Sequence, residues 1–250
     1  MTRITAIANQ KGGVAKTTTV HAFAAGLVEM GRTVLAVDLD PQGSLSWAMG
    51  VEPDGLEQSV HDVLSGRVEL EEVVYESNGI DLVPASIDLA ASEIHLHSRA
   101  GGEYVLQRAL AEGVNRYDHV LLDCPPSLGI LTVNALTAAR GVVVPVRAES
   151  LSQRGVDQLR DTIRDVRLNT NPDLDLAGIV ITMFDARTRL GRQVVELLTG
   201  AGLPVWDPPI PRSVRVAEAP ARGLSVLDTA RTSPAARAYR ALALQLDGYR

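Results

Sequence analysis

Lys11 and Lys16 are the only lysines in a chain that carries 22 arginines. They stand five positions apart in Asn9-Gln10-Lys11-Gly12-Gly13-Val14-Ala15-Lys16-Thr17-Thr18, between an apolar run at Ile4–Ala8 and a segment of helical period at Thr17–Met30. A bias toward arginine that spares two neighbouring places marks sites where a compact ammonium is needed. A glycine-bearing loop from a strand into a helix lets backbone N–H groups curl around a phosphate, with the positive end of the helix dipole behind them. Lys16 is then placed to reach β- and γ-phosphates and Thr17 to hold Mg²⁺. The strict pattern GxxxxGK[ST] is broken at both glycine positions, by Gln10 and Ala15.

Two further segments bring carboxylates to strand ends. Val37-Asp38-Leu39-Asp40-Pro41-Gln42-Gly43 closes the second apolar run, and an acid near a γ-phosphate can orient the attacking water while Mg²⁺ offsets the repulsion. Val120-Leu121-Leu122-Asp123-Cys124-Pro125-Pro126-Ser127 closes the fourth, where a carboxylate beside the first strand can bind Mg²⁺ through a water. Cys124 has no signature pairing it with a histidine and reads as a small packed residue.

These groups need a scaffold that delivers strand ends to one place. Strand candidates are Ile4–Ala8, Thr33–Asp38, Ile80–Pro84, His119–Asp123, Val142–Val146 and Leu176–Thr182, most of them apolar without polar alternation, as parallel strands covered on both faces are. Helices are expected at Thr17–Met30, Ile87–His97, Glu103–Gly113, Ile130–Arg140, Ser152–Leu168, Leu190–Gly200 and Pro234–Leu246, with Gly31, Gly113 and Gly141 at helix stops. The alternation predicts an α/β fold: a single doubly wound, mostly parallel sheet with helices on both faces, spanning residues 1–250 as one domain. Connections within Trp47–Glu76 are unclear beyond a short helix in SVHDVLSG. Residues 204–225, with five prolines, read as an ordered loop region with a short helix near Val214–Ala219.

Composition narrows the class. At 250 residues, 46% hydrophobic and 22% charged, the chain is neither disordered nor collagen-like. One cysteine allows no internal disulfide and no cysteine-held zinc or iron–sulfur site within one chain, which fits a reducing interior. His95 and His97, two apart on a predicted helix, face different ways and do not make a metal pair. No run reaches membrane-spanning length, and the start lacks a leader pattern, so a cytoplasmic protein is expected.

The loop KGGVAKTT resembles the deviant Walker A loop, KGGxGK[ST], of the ParA/MinD family of P-loop ATPases, and NQKGG is similar to its chromosomal, Soj-like ParA members. VDLDPQG, LLDCPPS, TMFDART and IPRSVRVAEAP resemble further segments of the family, so the likeness covers nearly the whole chain. It implies ATP and Mg²⁺ as ligands, held by Lys11, Gly12, Gly13, Val14, Ala15, Lys16, Thr17 and Thr18. Lys11 reaches the phosphates of a partner in a nucleotide-sandwich homodimer, and Asp40 serves hydrolysis. Asp38 and Asp123 support the metal with Thr17, and Pro211 and Ser213 lie against the adenine. Ser213 stands where the family often has Asn. Ala15 replaces the glycine before Lys16. At negative φ its methyl is harmless, whereas positive φ costs roughly 1 kcal/mol or more. A competent but slower ATPase is expected over a dead loop.

The net charge of -6 is unevenly spread: residues 1–139 carry 8 basic and 18 acidic side chains, residues 140–250 carry 16 and 12. A polyanion would meet the second half. Between 187 and 222 lie Arg187, Arg189, Arg192, Arg212, Arg215 and Arg222 against Glu196, Asp207 and Glu218. Guanidinium–phosphate contacts give sequence-independent, salt-sensitive affinity. The resemblance implies nonspecific double-stranded DNA as ligand, with Arg187, Arg215 and Arg189 foremost, a nucleoid-associated location and a ParB-like stimulating partner. The chain starts at its first strand, so no helix-turn-helix extension or operator-specific repression is expected. Tyr239, Leu242 and Leu246 sit at helical spacing in the last helix, which reads as a docking helix and not a membrane anchor. The rival readings are a positioning ATPase for a protein cargo, and a nucleotide-binding DNA scaffold that Ala15 leaves with negligible turnover.

Overall fold

The computed structural model describes residues 2–148 and 153–249. Among them seven strands, β1 (Arg3–Ile7), β2 (Val34–Asp38), β3 (Tyr75–Ser77), β4 (Ile80–Val83), β5 (His119–Asp123), β6 (Gly141–Arg147) and β7 (Asp175–Thr182), form one sheet in the order β3-β4-β2-β5-β1-β6-β7. Every pairing is parallel except β3 with β4. The helices are α1 (Lys16–Glu29), α2 (Ser44–Ala48), α3 (Val60–Ser65), α4 (Leu89–Ser98), α5 (Val105–Gly113), α6 (Ile130–Ala138), α7 (Gln153–Asn169), α8 (Arg189–Gly200), α9 (Val214–Glu218), α10 (Val226–Thr229) and α11 (Pro234–Gly248).

Alternation along the strands divides two cores. Leu35, Val37, Val120 and Leu122 face a cluster that includes side chains of α3 to α8. Val34, Ala36, Leu121 and Val143 face the other, built on α1 and α11. A period of two therefore puts Asp38 and Asp123 on the α1 face, and the β2–β5 register makes them direct neighbours. Ile7, the last residue of β1, is level with Asp123 on the other side. The chain leaves β1 toward one sheet edge and β5 toward the other, so these strand ends lie at the switch point of the fold.

The expected doubly wound sheet is present, with local differences. β3 was not anticipated because three mostly exposed residues, Tyr75, Glu76 and Ser77, carry no hydrophobic pattern. α4 begins two residues later than expected, and residues 102–104 form a tight 3-10 turn before α5. The expected start at Ser152 lies outside the described residues. Gly31, at φ +78°, does end α1. Gly141 does not end α6: the helix stops at Ala138, and Gly141 opens β6, where a Cβ would lie 2.9 Å from the Tyr249 ring.

The terminal helix docks as its pattern implied. Tyr239, Leu242 and Leu246 are buried in the α1 core, and Gly26 lets the helices approach so closely that a Cβ there would lie 2.8 Å from Ala243 Cβ. At the far end Asp247 accepts hydrogen bonds from Arg32 Nε and Nη2 at 2.9 and 2.8 Å, and its Oδ1 lies 3.0 Å from His119 Nε2. The Arg32 hydrogen bond holds the Asp247 carboxyl below its usual range, while burial lowers His119 and keeps its ring neutral. A depressed carboxylate contributes stability above its unfolded pKa of about 4, and that contribution is lost as pH falls through the folded value. Asp247→Asn should thus lower the unfolding midpoint at pH 7, and the difference from wild type should shrink as pH falls below about 4 in thermal melts followed by circular dichroism.

Candidate functional site

The loop between β1 and α1 is held from several directions. Asn9 Nδ2 donates to the Pro145 carbonyl of β6 at 2.8 Å, and Asn9 Oδ1 accepts from the Lys11 amide at 2.9 Å. Gln10 pairs with Gln158 of α7 at 2.6 Å. Val14 is buried, and its carbonyl accepts from Thr182 Oγ1 at 3.1 Å. Gly13 has φ +69°, which glycine adopts freely. Ala15 has φ +68° and ψ +38°, so the structure selects the costly branch for the departure before Lys16. Lys11, Gly12 and Gly13 are exposed, whereas Lys16 is buried at the first turn of α1 with Thr17 and Thr18 half-buried beside it.

The carboxylates differ in how they are satisfied. Asp38 is fully buried; Oδ1 accepts from the Asp40 amide at 3.1 Å, and Oδ2 accepts from the Ser46 amide at 2.9 Å and hydroxyl at 2.8 Å. Ser46 Oγ in turn accepts from the Ala85 amide at 3.0 Å. Burial pushes Asp38 up to about 6 against the pull of these bonds. Asp38 thus fastens the turn that carries Asp40 to α2. Asp40 is half-buried and accepts from the Gln42 amide at 3.0 Å. Asp123 is buried, and neither carboxylate oxygen has a hydrogen-bond partner of good geometry. Burial and the neighbouring Asp38 raise its pKa well above the usual range, with Thr17 and Lys16 offsetting part of the rise. Lys16 is lowered by its own burial and raised in return chiefly by Asp123.

The arrangement is an ammonium, a hydroxyl and a helix N-terminus around a carboxylate whose charge is poorly compensated. Such a set suits a polyanion that arrives with a divalent cation. Among the described residues no three His, Cys, Asp or Glu side chains converge on a metal position. Cys124 turns into the opposite core with Leu122, and burial pushes its thiol up.

The later segments meet beside this loop. Ile210 N donates to the Ile181 carbonyl at 2.8 Å, Phe184 N to the Ile210 carbonyl at 2.8 Å and Arg212 N to the Phe184 carbonyl at 3.1 Å, joining 181–184 to 210–212. Pro211 is the bridge partner of Phe184, and Ser213 is the half-buried residue before α9. Arg187 is exposed in a turn where its amide donates to Asp185 Oδ1 at 2.9 Å, Arg189 begins α8, and Arg215 is exposed on α9. Arg215 and Arg222 share a cleft with Glu218 and Thr229. Sequence reasoning missed Asn9, Ser46 and Thr182. Each is a small polar residue beside a strand end, and only the fold shows what it bonds.

A family model described as an AAA domain matches residues 2–176. The chromosome-partitioning ATPase Soj of Thermus thermophilus is 48% identical over 239 residues, 95% of this chain and 92% of that protein. The chromosome partitioning protein ParA of Caulobacter vibrioides is 43% identical over 231 residues, covering 90% of this chain and 86% of the other. Among solved structures, one named cobyrinic acid a,c-diamide synthase from Mycobacterium smegmatis, with bound ADP and magnesium, is 49% identical, has a TM-score of 0.89 and covers 98% and 94% of the two chains.

Because Asp123 is desolvated next to a second acid, its charge works against the fold. Asp123→Asn should raise the stability of the ligand-free protein by about 0.5–2 kcal/mol, measured by urea unfolding at pH 7 without nucleotide or divalent ion.

Proposed function

This chain belongs to the ParA/Soj family of P-loop partition ATPases, and from that premise we propose that it is a slow, partner-stimulated ATPase for chromosome or plasmid partitioning. ATP·Mg²⁺ binding favours a homodimer that holds nonspecific duplex DNA, and hydrolysis releases it. The carrying observation is Asp123: a buried carboxylate without a hydrogen bond of good geometry, beside Lys16 and Thr17 under the N-terminus of α1.

In this reading the amides of residues 12–18 and the Lys16 ammonium bind the β- and γ-phosphates. Bound Mg²⁺ neutralises phosphate charge and makes the γ-phosphoryl group more open to attack. The Thr17 hydroxyl and Asp123 would hold the ion. Asp38 acts mainly through its neighbours, fixing the Asp40 turn and α2 relative to β5. Asp40 orients the attacking water from a half-buried position. Exposed Lys11 extends to the partner's phosphates, and Pro211 and Ser213 line the base beside Phe184.

Arg187, Arg189 and Arg215 supply the DNA contacts, and dimerisation doubles a weak surface into a useful one. Support comes from the bonds of Ile181 and Phe184 to Ile210 and Arg212, which join the chain just before Arg187 to the chain just before Arg215. The protein then works in the cytoplasm on the nucleoid with a ParB-like partner. The alternative suggested by the name of the M. smegmatis structure, amidation of a carboxylic acid, finds less support. The chain's one thiol, Cys124, is buried, protonated and on the face away from Asp123, which is a poor nucleophile for releasing ammonia from an amide donor.

Steady-state phosphate release with ATP, Mg²⁺ and duplex DNA tests the reading. Asp40→Ala should keep nucleotide-dependent dimers in sizing experiments but cut turnover at least about tenfold; normal turnover would reassign the water-orienting role. Arg187→Ala with Arg215→Ala should weaken duplex binding and flatten its salt dependence by about one unit of slope per lost phosphate contact, sparing nucleotide affinity. Unchanged DNA binding by the ATP-loaded double variant would remove this surface.

A further inference from the structure

Ala15 places a side chain where the backbone suits glycine, at φ +68°, yet the peptides on both sides of it are tied down. The Val14 carbonyl accepts from Thr182 Oγ1 at 3.1 Å, a buried contact from the end of β7. The Ala15 carbonyl accepts from the Thr19 amide at 3.0 Å and from the Thr19 hydroxyl at 2.7 Å. The Thr182 and Thr19 hydroxyls are themselves in buried residues, so water competes poorly for either carbonyl.

We infer that Thr182 and Thr19 are positioning residues that keep the phosphate loop in its binding shape in spite of Ala15, so that the strain weighs on folding and not on nucleotide affinity. The inference rests on the reading of this loop as the nucleotide site. A loop free to relax would spend only part of its time binding-competent, and apparent affinity would fall by that fraction. With both flanking carbonyls anchored, relaxation at residue 15 has to break a buried hydrogen bond. Thr182 is the more telling of the two. It joins the loop to β7, whereas Thr19 acts within the first turn of α1.

The test is a double-mutant cycle on the full chain, with Mg·ADP affinity from calorimetry and melting of the ligand-free protein as separate readouts. Ala15→Gly should raise the melting midpoint of the ligand-free protein. Thr182→Val should weaken Mg·ADP about tenfold in the wild-type background but less than about threefold in the Ala15→Gly background, and Thr182→Ser should restore wild-type affinity. Tightening of about fivefold or more on Ala15→Gly, with no change in melting, would overturn the inference, as would equal losses from Thr182→Val in both backgrounds. If Thr182→Val does not fold, the Ala15→Gly pair of measurements decides alone. A wild-type chain that binds no Mg·ADP defeats the nucleotide reading itself, and wild-type binding without coupling defeats only the positioning role.

Discussion

A carboxylate at the end of β5, taken out of water without a hydrogen-bond partner, is the constraint around which the site is arranged. An isolated buried charge is costly, and proteins keep one only where a cation or a ligand compensates it. Lys16 is too desolvated to do this alone, and Asp38 adds a second charge of the same sign. Asp38 can stand so close because three donors satisfy it, which leaves Asp123 as the group with coordination to offer. Local instability at one aspartate is therefore the chemical capacity of the site.

Parallel pairing supplies the geometry. Adjacent strands in register bring Ile7, Asp38 and Asp123 to one level, and alternation turns both acids toward α1. The loop itself is moored to the other half of the sheet, through Asn9 to β6 and through Thr182 to β7. Arg187 follows Thr182 by five residues, and Phe184 between them is bonded to Ile210 and Arg212. One short, hydrogen-bonded stretch thus connects the phosphate loop with the arginines. A change in the loop has a physical route to that surface, through packed backbone instead of a flexible linker.

Strands with both faces covered leave a plain mark in sequence, and so did the acids at their ends, because hydrophobic runs stopping at Asp38 and Asp123 have few other readings. The lysine pair in an arginine-rich chain was legible for the same reason. β3 was not, since its pairing is decided by the turn at Asn78 and Gly79, both at positive φ, and not by side-chain burial. The sign of φ at Ala15 was equally hidden, because a single letter reports the Cβ and not the torsion beneath it. Thr182 could not be found by spacing, as its partner carbonyl is 168 positions away. The bonds of Asp38 to Ser46 and Asp40 were hidden as well, and they make it a fastener of the Asp40 turn.

Charge is divided along the chain as the chemistry requires. The acidic first half contains the buried carboxylates and the loop. The basic second half carries Arg187, Arg189 and Arg215 beyond β7, all three exposed. A surface arginine contributes little to folding, and its contact with a phosphate is modest and screened by salt. In the proposed cycle, strong single contacts would hold DNA as a monomer and uncouple release from hydrolysis, whereas weak ones would need two chains at once. The same weakness makes the proposed switch reversible, because losing one of two linked surfaces removes most of the binding without any change in either surface.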